Sequence, residues 1–345
     1  MKKFYKKISF YTFICISPFI LVLSRYIYLD VYCDFKIDKN YSVKFWFNSL
    51  GDFSTKKLIR NKDLTRNTFI FGSSRSTHLY GCYIQKQLFN KNISIKPYFF
   101  GNYGETIGGI EKKINLLDSL EYKIKNIIMV IDPDMAFELN GDVQKYDYYS
   151  FLNRSKFENY IYHFNAFFSN EHKDLTEKIK IMLGLPIPDS LVYTYKSDPI
   201  TNDQGHQCNN FKPYSDSNNI LKKFNSKKHI NKIMNSMDYK IKLQEKDKIS
   251  IKEVQFLQSI SRIIKKHKSN YVMIISPLLS KEQLSIKDLE ILYKLFGKQH
   301  ILNLAGANKI TKNPANFKDS KHFNNIISKL IIDSIQKLNI LTSSH

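Results

Sequence analysis

The sequence predicts an α/β protein whose mostly parallel sheet is covered by helices on both faces. Short apolar runs recur along the chain, and glycine or polar residues follow them. Stretches with a helical spacing of apolar residues separate several of these runs. Strands buried on both faces are apolar throughout, as in parallel sheets packed between helices. We also predict one N-terminal transmembrane helix and a mostly helical insertion.

Five apolar runs are the candidate strands, and amphipathic stretches between or after them are the candidate helices. The first three runs end at Gly72, at Gly101 and before Asp132, where a chain leaving a sheet needs a turn. The predicted strands cover residues 68–71, 97–100, 127–131, 271–275 and, more weakly, 301–304. The predicted helices cover residues 106–122, 251–267, 281–296 and 321–338.

The N-terminus has the pattern of an uncleaved membrane anchor. A cluster of lysines precedes Ile8–Leu23, which contains no charged residue, and Arg25 follows close to the end of the apolar stretch. A helix of about 20 residues spans the hydrocarbon layer. Because positive residues stay cytoplasmic, everything after about residue 30 is expected outside the inner membrane. A cleaved signal peptide would need small residues near Leu23–Tyr26, and a buried soluble helix would not need the charge asymmetry.

The predicted organisation has three parts. Residues 1–30 form the cytoplasmic tail and the anchor, 31–65 a polar linker, and 66–345 the α/β domain. The segment at about 140–245 breaks the strand–helix rhythm and is rich in Asn, Tyr, Ser and Lys, so we interpret it as an insertion or lid with helical stretches near 155–183.

The charge of the chain limits the possible partners. The net charge is +22, from 53 Lys and Arg against 31 Asp and Glu. Such a charge suits nucleic acid, an anionic membrane surface or an acidic glycan. The lysines are scattered, and no nucleic-acid-binding motif is recognisable, so a nucleic-acid partner is not expected.

The four cysteines exclude two kinds of site. The chain contains no C-x-x-C motif, which excludes a zinc ribbon and a thioredoxin-like site; its cysteines are Cys15, Cys33, Cys82 and Cys208. Cys82 and Cys208 are candidates for a disulfide in an oxidising compartment, and isolated buried thiols are the alternative. No cofactor and no metal site are predicted, because no two histidines share ligand spacing with an acid.

Residues with catalytic potential follow the predicted strands, where ligands of open parallel sheets gather. Ser74 comes directly after the first strand, in Gly72-Ser73-Ser74-Arg75. A serine at such a turn can expose its hydroxyl beside backbone N–H groups that hold an oxyanion. Near the last helix, Asp319 precedes His322 by three positions, so the acid can orient the imidazole and the imidazole can act as base.

These motifs resemble the SGNH, or GDSL-like, hydrolase superfamily. The resemblance is closest to membrane-anchored envelope members whose first block reads G-S-S-R and whose last block reads F-x-D-x-x-H. The D-alanine-transfer protein of teichoic acid synthesis and acyltransferase-like proteins of exopolysaccharide loci are similar. The matching parts are roughly residues 66–135 and 268–338. The resemblance implies an SGNH/flavodoxin-like three-layer fold.

The resemblance also implies roles for individual residues. Ser74 would be the nucleophile, His322 the general base and Asp319 the residue that orients it. Gly101, in Gly101-Asn102-Tyr103-Gly104, would donate a backbone N–H to the oxyanion.

Two more residues are candidates for contact with the substrate or oxyanion: Arg75 and Asn102. Arg75 has two interpretations, holding a substrate anion or pairing with a surface acid. The family pattern also has an asparagine after the third strand, and here that place reads Asp132-Pro133-Asp134. A carboxylate would repel an oxyanion. Asp132 and Asp134 have other possible roles as caps, cation ligands or pocket residues.

Several of these residues have simpler explanations. Ser74 or Asp319 would suit the N-cap of a following helix. Ser73 is the fallback nucleophile. His78 lies one helical turn after Ser74 but is more often a packing or surface residue. The loop Asp203–His206 could reach the site from the insertion, although a surface turn is the simpler interpretation.

The resulting expectation is an acyl esterase or O-acyltransferase that acts on a cell-surface polysaccharide or other glycan outside the inner membrane. Its partners would be the lipid bilayer, a glycan or acyl-carrying substrate and, in one version, a membrane-bound acyltransferase. A catalytically inactive binding or assembly protein on the same fold is the first alternative, supported by the missing asparagine. A basic nucleic-acid binder is the second alternative and would require a cytoplasmic location.

Overall fold

The computed structural model describes residues 2–30, 35, 50–61, 63–89, 92, 94–101, 104–137, 155–169, 175–185, 223–235 and 247–341. Its contacts divide the chain into two compact units. One unit combines Met1–Ser49 with Ser150–Lys196, and the other combines Leu50–Tyr149 with Ser197–His345. Asn102, Cys33, Cys208, the Asp203–His206 loop and much of the predicted insertion lie outside the described residues.

The larger unit is an α/β fold around a parallel sheet, which confirms the predicted class. The strands are β1 (Thr68–Gly72), β2 (Pro97–Gly101), β3 (Asn126–Ile131), β4 (Asn270–Ile275) and β5 (Ile301–Asn303). They lie in the order β2-β1-β3-β4-β5, and every neighbouring pair is parallel. In this order the chain reverses direction across the sheet at β1, so the crevice beyond its carboxyl end is where ligands bind in open α/β sheets.

The helices of this unit are named in chain order with those of the smaller unit. In the larger unit they are α2 (Leu50–Asn61), α3 (Gly81–Leu88), α4 (Ile107–Ser119), α7 (Lys227–Asn235), α8 (Ile251–His267), α9 (Ile286–Phe296) and α10 (Asn325–Leu338). The bounds of α4 and α8 agree closely with the predicted stretches. Helix α9 begins at Ile286 rather than at the predicted residue 281, after the N-cap Ser285, and helix α10 begins at Asn325 rather than at residue 321, after the N-cap Asn324.

Alternate side chains of each strand enter two separate cores, which explains why the strands read as unbroken apolar runs. On β1, Phe69 and Phe71 face one core and Ile70 faces the other. Residues of α2, α4, α8 and α9 complete the first core, and residues of α3, α7 and α10 complete the second. The sheet is therefore the middle of three layers, with helices on both faces.

Two helices of this unit are not anticipated by the sequence. Helix α2 lies in the stretch interpreted as a linker, yet Leu58 is fully buried in the first core and the Tyr98 hydroxyl donates to the Ser54 carbonyl over 2.6 Å. Helix α3 is only two turns long. Its buried residues Tyr83, Ile84 and Leu88 belong to the second core.

The smaller unit contains the predicted anchor. Helix α1 (Lys2–Leu29) is long and apolar enough to cross a membrane, with a mean hydropathy of 1.7 over its most apolar window. Two further helices, α5 (Lys156–Ser169) and α6 (Leu175–Leu183), belong to the same unit, and they overlap the predicted helical stretch near 155–183. The end of α1 packs on them: Tyr26 is buried among Phe167, Ile181 and Met182.

Candidate active site

The turn after β1 presents Ser74 because a different serine caps the helix that follows. Ser74 begins a short 3-10 helix, Ser74–His78. The N-cap is Ser73, whose hydroxyl accepts a hydrogen bond from the Arg75 backbone N–H over 3.1 Å. The alternative in which Ser74 is the cap is therefore wrong, and the Ser74 hydroxyl is available for another contact. The backbone N–H of Ser74 donates to no residue among those described.

Glycine at position 72 makes this tight exit possible. A Cβ built on Gly72 would lie 2.6 Å from the Ser76 hydroxyl oxygen and 2.9 Å from Val130 Cβ, well inside contact distance. Gly72 also pairs in register with Gly101 at the end of β2. Gly72 and Gly101, the two predicted turn glycines, thus end neighbouring strands side by side, and Gly72 lies two residues before Ser74.

His322 is carried by a loop before α10 that is closed on itself. Phe317 and Phe323 form an antiparallel bridge, and the Lys318 N–H donates to the His322 carbonyl over 2.7 Å. Both phenylalanines are fully buried in the second core. Within the loop, Asp319 Oδ1 accepts the His322 backbone N–H over 2.9 Å. This local hydrogen bond holds the carboxylate beside the imidazole.

The structure brings Ser74, His322 and Asp319 together in one hydrogen-bonded chain. Ser74 Oγ lies 2.9 Å from His322 Nε2, although the two residues are 248 positions apart. On the other side of the ring, His322 Nδ1 lies 2.8 Å and 2.9 Å from the two carboxylate oxygens of Asp319. A carboxylate can only accept, so Nδ1 carries the hydrogen and Nε2 of the neutral ring accepts from the Ser74 hydroxyl.

The charge of Asp319 suits this arrangement. Burial alone would raise its pKa, but the hydrogen bond from the His322 ring and the backbone N–H groups of Lys321 and His322 lower the pKa from 3.8 to about 2. Asp319 is therefore ionised at neutral pH and can stabilise a positive imidazole. Ser74 and His322 are both only partly buried, so a substrate can reach the pair from solvent.

Asp132, at the end of β3, is held by three neighbours. Its carboxylate is only 1% exposed. It accepts hydrogen bonds from the hydroxyls of Ser73 and Ser276 and pairs with Arg75, whose Nη1 lies 3.2 Å away. Both carboxylate oxygens are thus occupied within the protein, and their charge is balanced by a guanidinium. This use of Asp132 accounts for a carboxylate at the strand end where the family pattern has asparagine.

Arg75 joins three chain segments at this point. Its guanidinium makes a bidentate pair with Asp134, at 2.5 Å and 2.7 Å, in addition to its contact with Asp132. Its Nε donates to the Lys321 carbonyl over 2.8 Å, directly before His322. Burial would lower the Arg75 pKa, but the two carboxylates raise it above its ordinary value, so the side chain is charged. Arg75 is 3% exposed, which leaves little of it to contact a substrate.

The remaining sequence candidates make other contacts than the hydrogen-bonded chain of Ser74, His322 and Asp319. Ser73, the fallback nucleophile, is 1% exposed and its hydroxyl points to Asp132. His78 Nδ1 lies 3.0 Å from the Tyr80 hydroxyl. The N-cap of α10 is Asn324, whose side chain accepts from the N–H groups of Ile326 and Ile327, so the proposal that Asp319 is that cap is wrong.

Two contacts of the site were not anticipated. Ser276 follows β4 and supplies the second hydroxyl to Asp132. His229 on α7 supports the loop of His322 from outside, because its Nε2 lies 3.0 Å from the Phe317 carbonyl. Because the carboxyl ends of parallel strands meet at one edge of the sheet, the position of Ser276 directly after a strand could have predicted its place near Asp132. His229 lies in the charge-rich stretch 222–253, which the sequence predicts to be a solvated helical face, and nothing in that pattern points to a contact with the site.

No family model matches the chain, and no curated protein matches it.

Proposed function

We propose that this chain is a membrane-anchored serine esterase or O-acyltransferase that acts on acyl esters of a cell-surface polysaccharide or another glycan. The observation that carries the proposal is the continuous contact from Ser74 Oγ to His322 Nε2 and from His322 Nδ1 to Asp319. The resemblance to SGNH-like envelope proteins supports the choice of substrate class.

The geometry supports an acyl-transfer sequence in two halves. His322 Nε2 takes the Ser74 proton as the hydroxyl oxygen attacks the ester carbonyl. The backbone N–H groups of Ser74 and Gly101 would hold the resulting oxyanion. His322 then gives its proton to the departing alcohol, and the acyl group stays on Ser74. Water or a sugar hydroxyl reverses these steps, with His322 again taking the proton, and releases an acid or a new ester.

The location of the site outside the inner membrane has two supports. Helix α1 has the length and hydropathy of a membrane span, and the lysines that precede its apolar part favour a cytoplasmic N-terminus. Cys82 forms a disulfide bond. Disulfides persist in oxidising compartments and are rare in the cytosol, which favours an extracytoplasmic position for the catalytic unit. Its partners would be the bilayer, the acylated glycan and, for a transferase, an acyl donor protein in the membrane.

Covalent labelling of the full-length protein in detergent tests the proposal. A fluorophosphonate probe should label the wild type, and Ser74→Ala should abolish labelling. Ser73→Ala is the matched control, because its hydroxyl lies next in sequence but faces Asp132. His322→Gln should slow labelling by about 100-fold or more, since the base contributes a factor of that order.

The result that contradicts the proposal is a folded wild type that the probe does not label. That result would favour the alternative of a binding or assembly protein on the same fold. Such a protein should retain its glycan binding in both Ser74→Ala and His322→Gln, measured on the same polysaccharide fraction.

A further inference from the structure

The helix pair α5–α6 is fixed to the end of the anchor. Arg25 Nε donates to the Met182 carbonyl over 3.1 Å. The Tyr26 ring lies 5.2 Å from the Phe164 ring and 5.7 Å from the Phe167 ring, measured between centroids. Tyr26 is buried, although most of α1 before it exposes large apolar side chains. The pair is therefore packed on one level of α1, the level of Arg25 and Tyr26.

That level corresponds to the edge of the hydrocarbon layer if α1 spans a membrane. The stretch from Ile8 to Arg25 rises about 27 Å at 1.5 Å per residue, close to the thickness of the apolar layer. Arginine and tyrosine are residues that occur at the boundary with the headgroups. Helices packed on this part of α1 lie at the membrane surface, and a helix in this position needs an apolar face toward the acyl chains.

Both helices have such a face. On α5, Phe157 and Ile161 are exposed, at 73% and 47%, and the partly buried Phe164 and Phe168 continue the same stripe at helical spacing. On α6, Ile179 and Leu183 form the equivalent stripe, with exposures of 47% and 67%. The two stripes are called the apolar face here; its members are Phe157, Ile161, Phe164, Phe168, Ile179 and Leu183. Leu185, just after α6, is also exposed.

The four exposed members of the apolar face are distinct from the residues that hold the unit together, whereas Phe164 and Phe168 border the face and also pack on the cluster around Tyr26. Phe167 and Ile181 are buried against Tyr26 and use another side of each helix. Polar residues border the face: Glu158 on α5 and Lys180 on α6 are exposed. A buried side, an exposed apolar stripe and a polar border are the pattern of a helix that lies in a membrane interface rather than in water.

We infer that α5 and α6 lie flat on the outer leaflet of the membrane and insert the apolar face into its acyl chains. The inference rests on the membrane anchoring in the proposed function, but not on its catalysis. The occupant of the face is a lipid surface, because the anchor that holds the pair carries its own exposed apolar surface into the same layer. Helices α5 and α6 would thereby hold the segment that follows α1 at the bilayer surface.

Tryptophan quenching by brominated lipid tests the inference on the full-length protein. The chain has one tryptophan, Trp46, so Trp46→Phe gives a silent background. Phe157→Trp and Leu183→Trp are reconstituted separately into phosphatidylcholine–phosphatidylglycerol vesicles with plain or brominated acyl chains. Bromine should lower their fluorescence at least about twofold, because their side chains reach the acyl region. Lys180→Trp, on the polar border of α6, is the matched control and should change much less.

Two outcomes would overturn the inference. One is equal fluorescence of Phe157→Trp and Leu183→Trp in both kinds of vesicle, which would mean that protein or a second copy covers the face. The other is failure of the protein to float with vesicles on a density gradient, which removes the premise of an anchor. Fluorophosphonate labelling of Ser74 is measured on the same samples, so loss of the catalytic proposal is distinguishable from loss of this one.

Discussion

Replacing Arg75 should damage both the stability and the reactivity of the site. Arg75 pairs with Asp132 and Asp134, and its side chain and that of Asp132 are almost fully buried. Arg75→Met removes the cation and leaves the buried Asp132 charge with two hydroxyl donors but no balancing positive charge. The free energy of unfolding should fall by about 3–5 kcal/mol, the usual cost of breaking a buried ion pair from one side.

The second effect of the substitution is on position. Arg75 Nε binds the carbonyl of Lys321, and His322 follows directly, so this contact helps to set the 2.9 Å distance between Ser74 Oγ and His322 Nε2. A misplacement of about 1 Å in a catalytic group can cost about 100-fold in rate. Fluorophosphonate labelling of Ser74 should slow by that order in Arg75→Met. Arg75 is thus a positioning residue.

A double-mutant cycle separates the two effects. Asp132→Asn keeps a side chain that can bond both Ser73 and Ser276, and it removes the unpaired charge left by Arg75→Met. The double variant should therefore recover at least about 1 kcal/mol of the lost unfolding free energy. The labelling rate should stay low, because the contact with the Lys321 carbonyl is still missing. Arg75→Lys, which keeps the charge but not the fork geometry, should retain more stability than labelling rate.

The measurements are urea unfolding of the full-length protein in detergent and the initial rate of probe labelling. The reasoning is refuted if Arg75→Met unfolds within about 1 kcal/mol of the wild type. The claim that Arg75 positions His322 is refuted if the double variant recovers the labelling rate together with the stability.

Two more substitutions test the site from other sides. Asp319→Asn removes a carboxylate whose pKa is about 2 in the folded protein and 3.8 as its ordinary value. The ionised Asp319 carboxylate stabilises the wild type fully above about pH 4, and this stabilisation is lost as the pH falls toward 2. The difference in unfolding free energy between Asp319→Asn and the wild type should therefore shrink over that range. A difference that is constant with pH would contradict this assignment. Gly72→Ala places a Cβ 2.6 Å from the Ser76 hydroxyl oxygen, and should cost about 1–3 kcal/mol in thermal or urea unfolding. An unchanged stability would show that the turn has spare room.

The positions of the strands could be predicted from the sequence, and so could the closeness of the turn after β1 to the loop before α10. A run such as Ile127–Ile131 has no polar residue, because its alternate side chains enter two cores. Parallel strands end at one edge of the sheet, so residues after β1 were expected near other strand ends. The strand-end rule predicted that Ser74 and His322 lie at one edge of the sheet, and the family resemblance added their roles as nucleophile and base.

The contacts that the sequence did not reveal involve charged residues in buried places. Helix α2 contains Lys56 and Lys57, which are almost fully buried, while pattern reasoning treats lysine as a mark of a solvent-facing linker. Asp132 looked unfavourable beside an oxyanion, because its partner Arg75 lies on another strand end. The pairing of buried charges depends on tertiary contacts, so it cannot be predicted from the residue type at a single position.

The loop that carries His322 has a mechanical consequence. The bridge between Phe317 and Phe323 encloses Asp319 and His322 in a single closed segment. Any shift of this segment moves the acid together with the imidazole, and it changes their distance to Ser74 and the contact of Arg75 with the Lys321 carbonyl. The contact between acid and imidazole is therefore set within one short segment, whereas the contact between imidazole and hydroxyl depends on how that segment packs on the core.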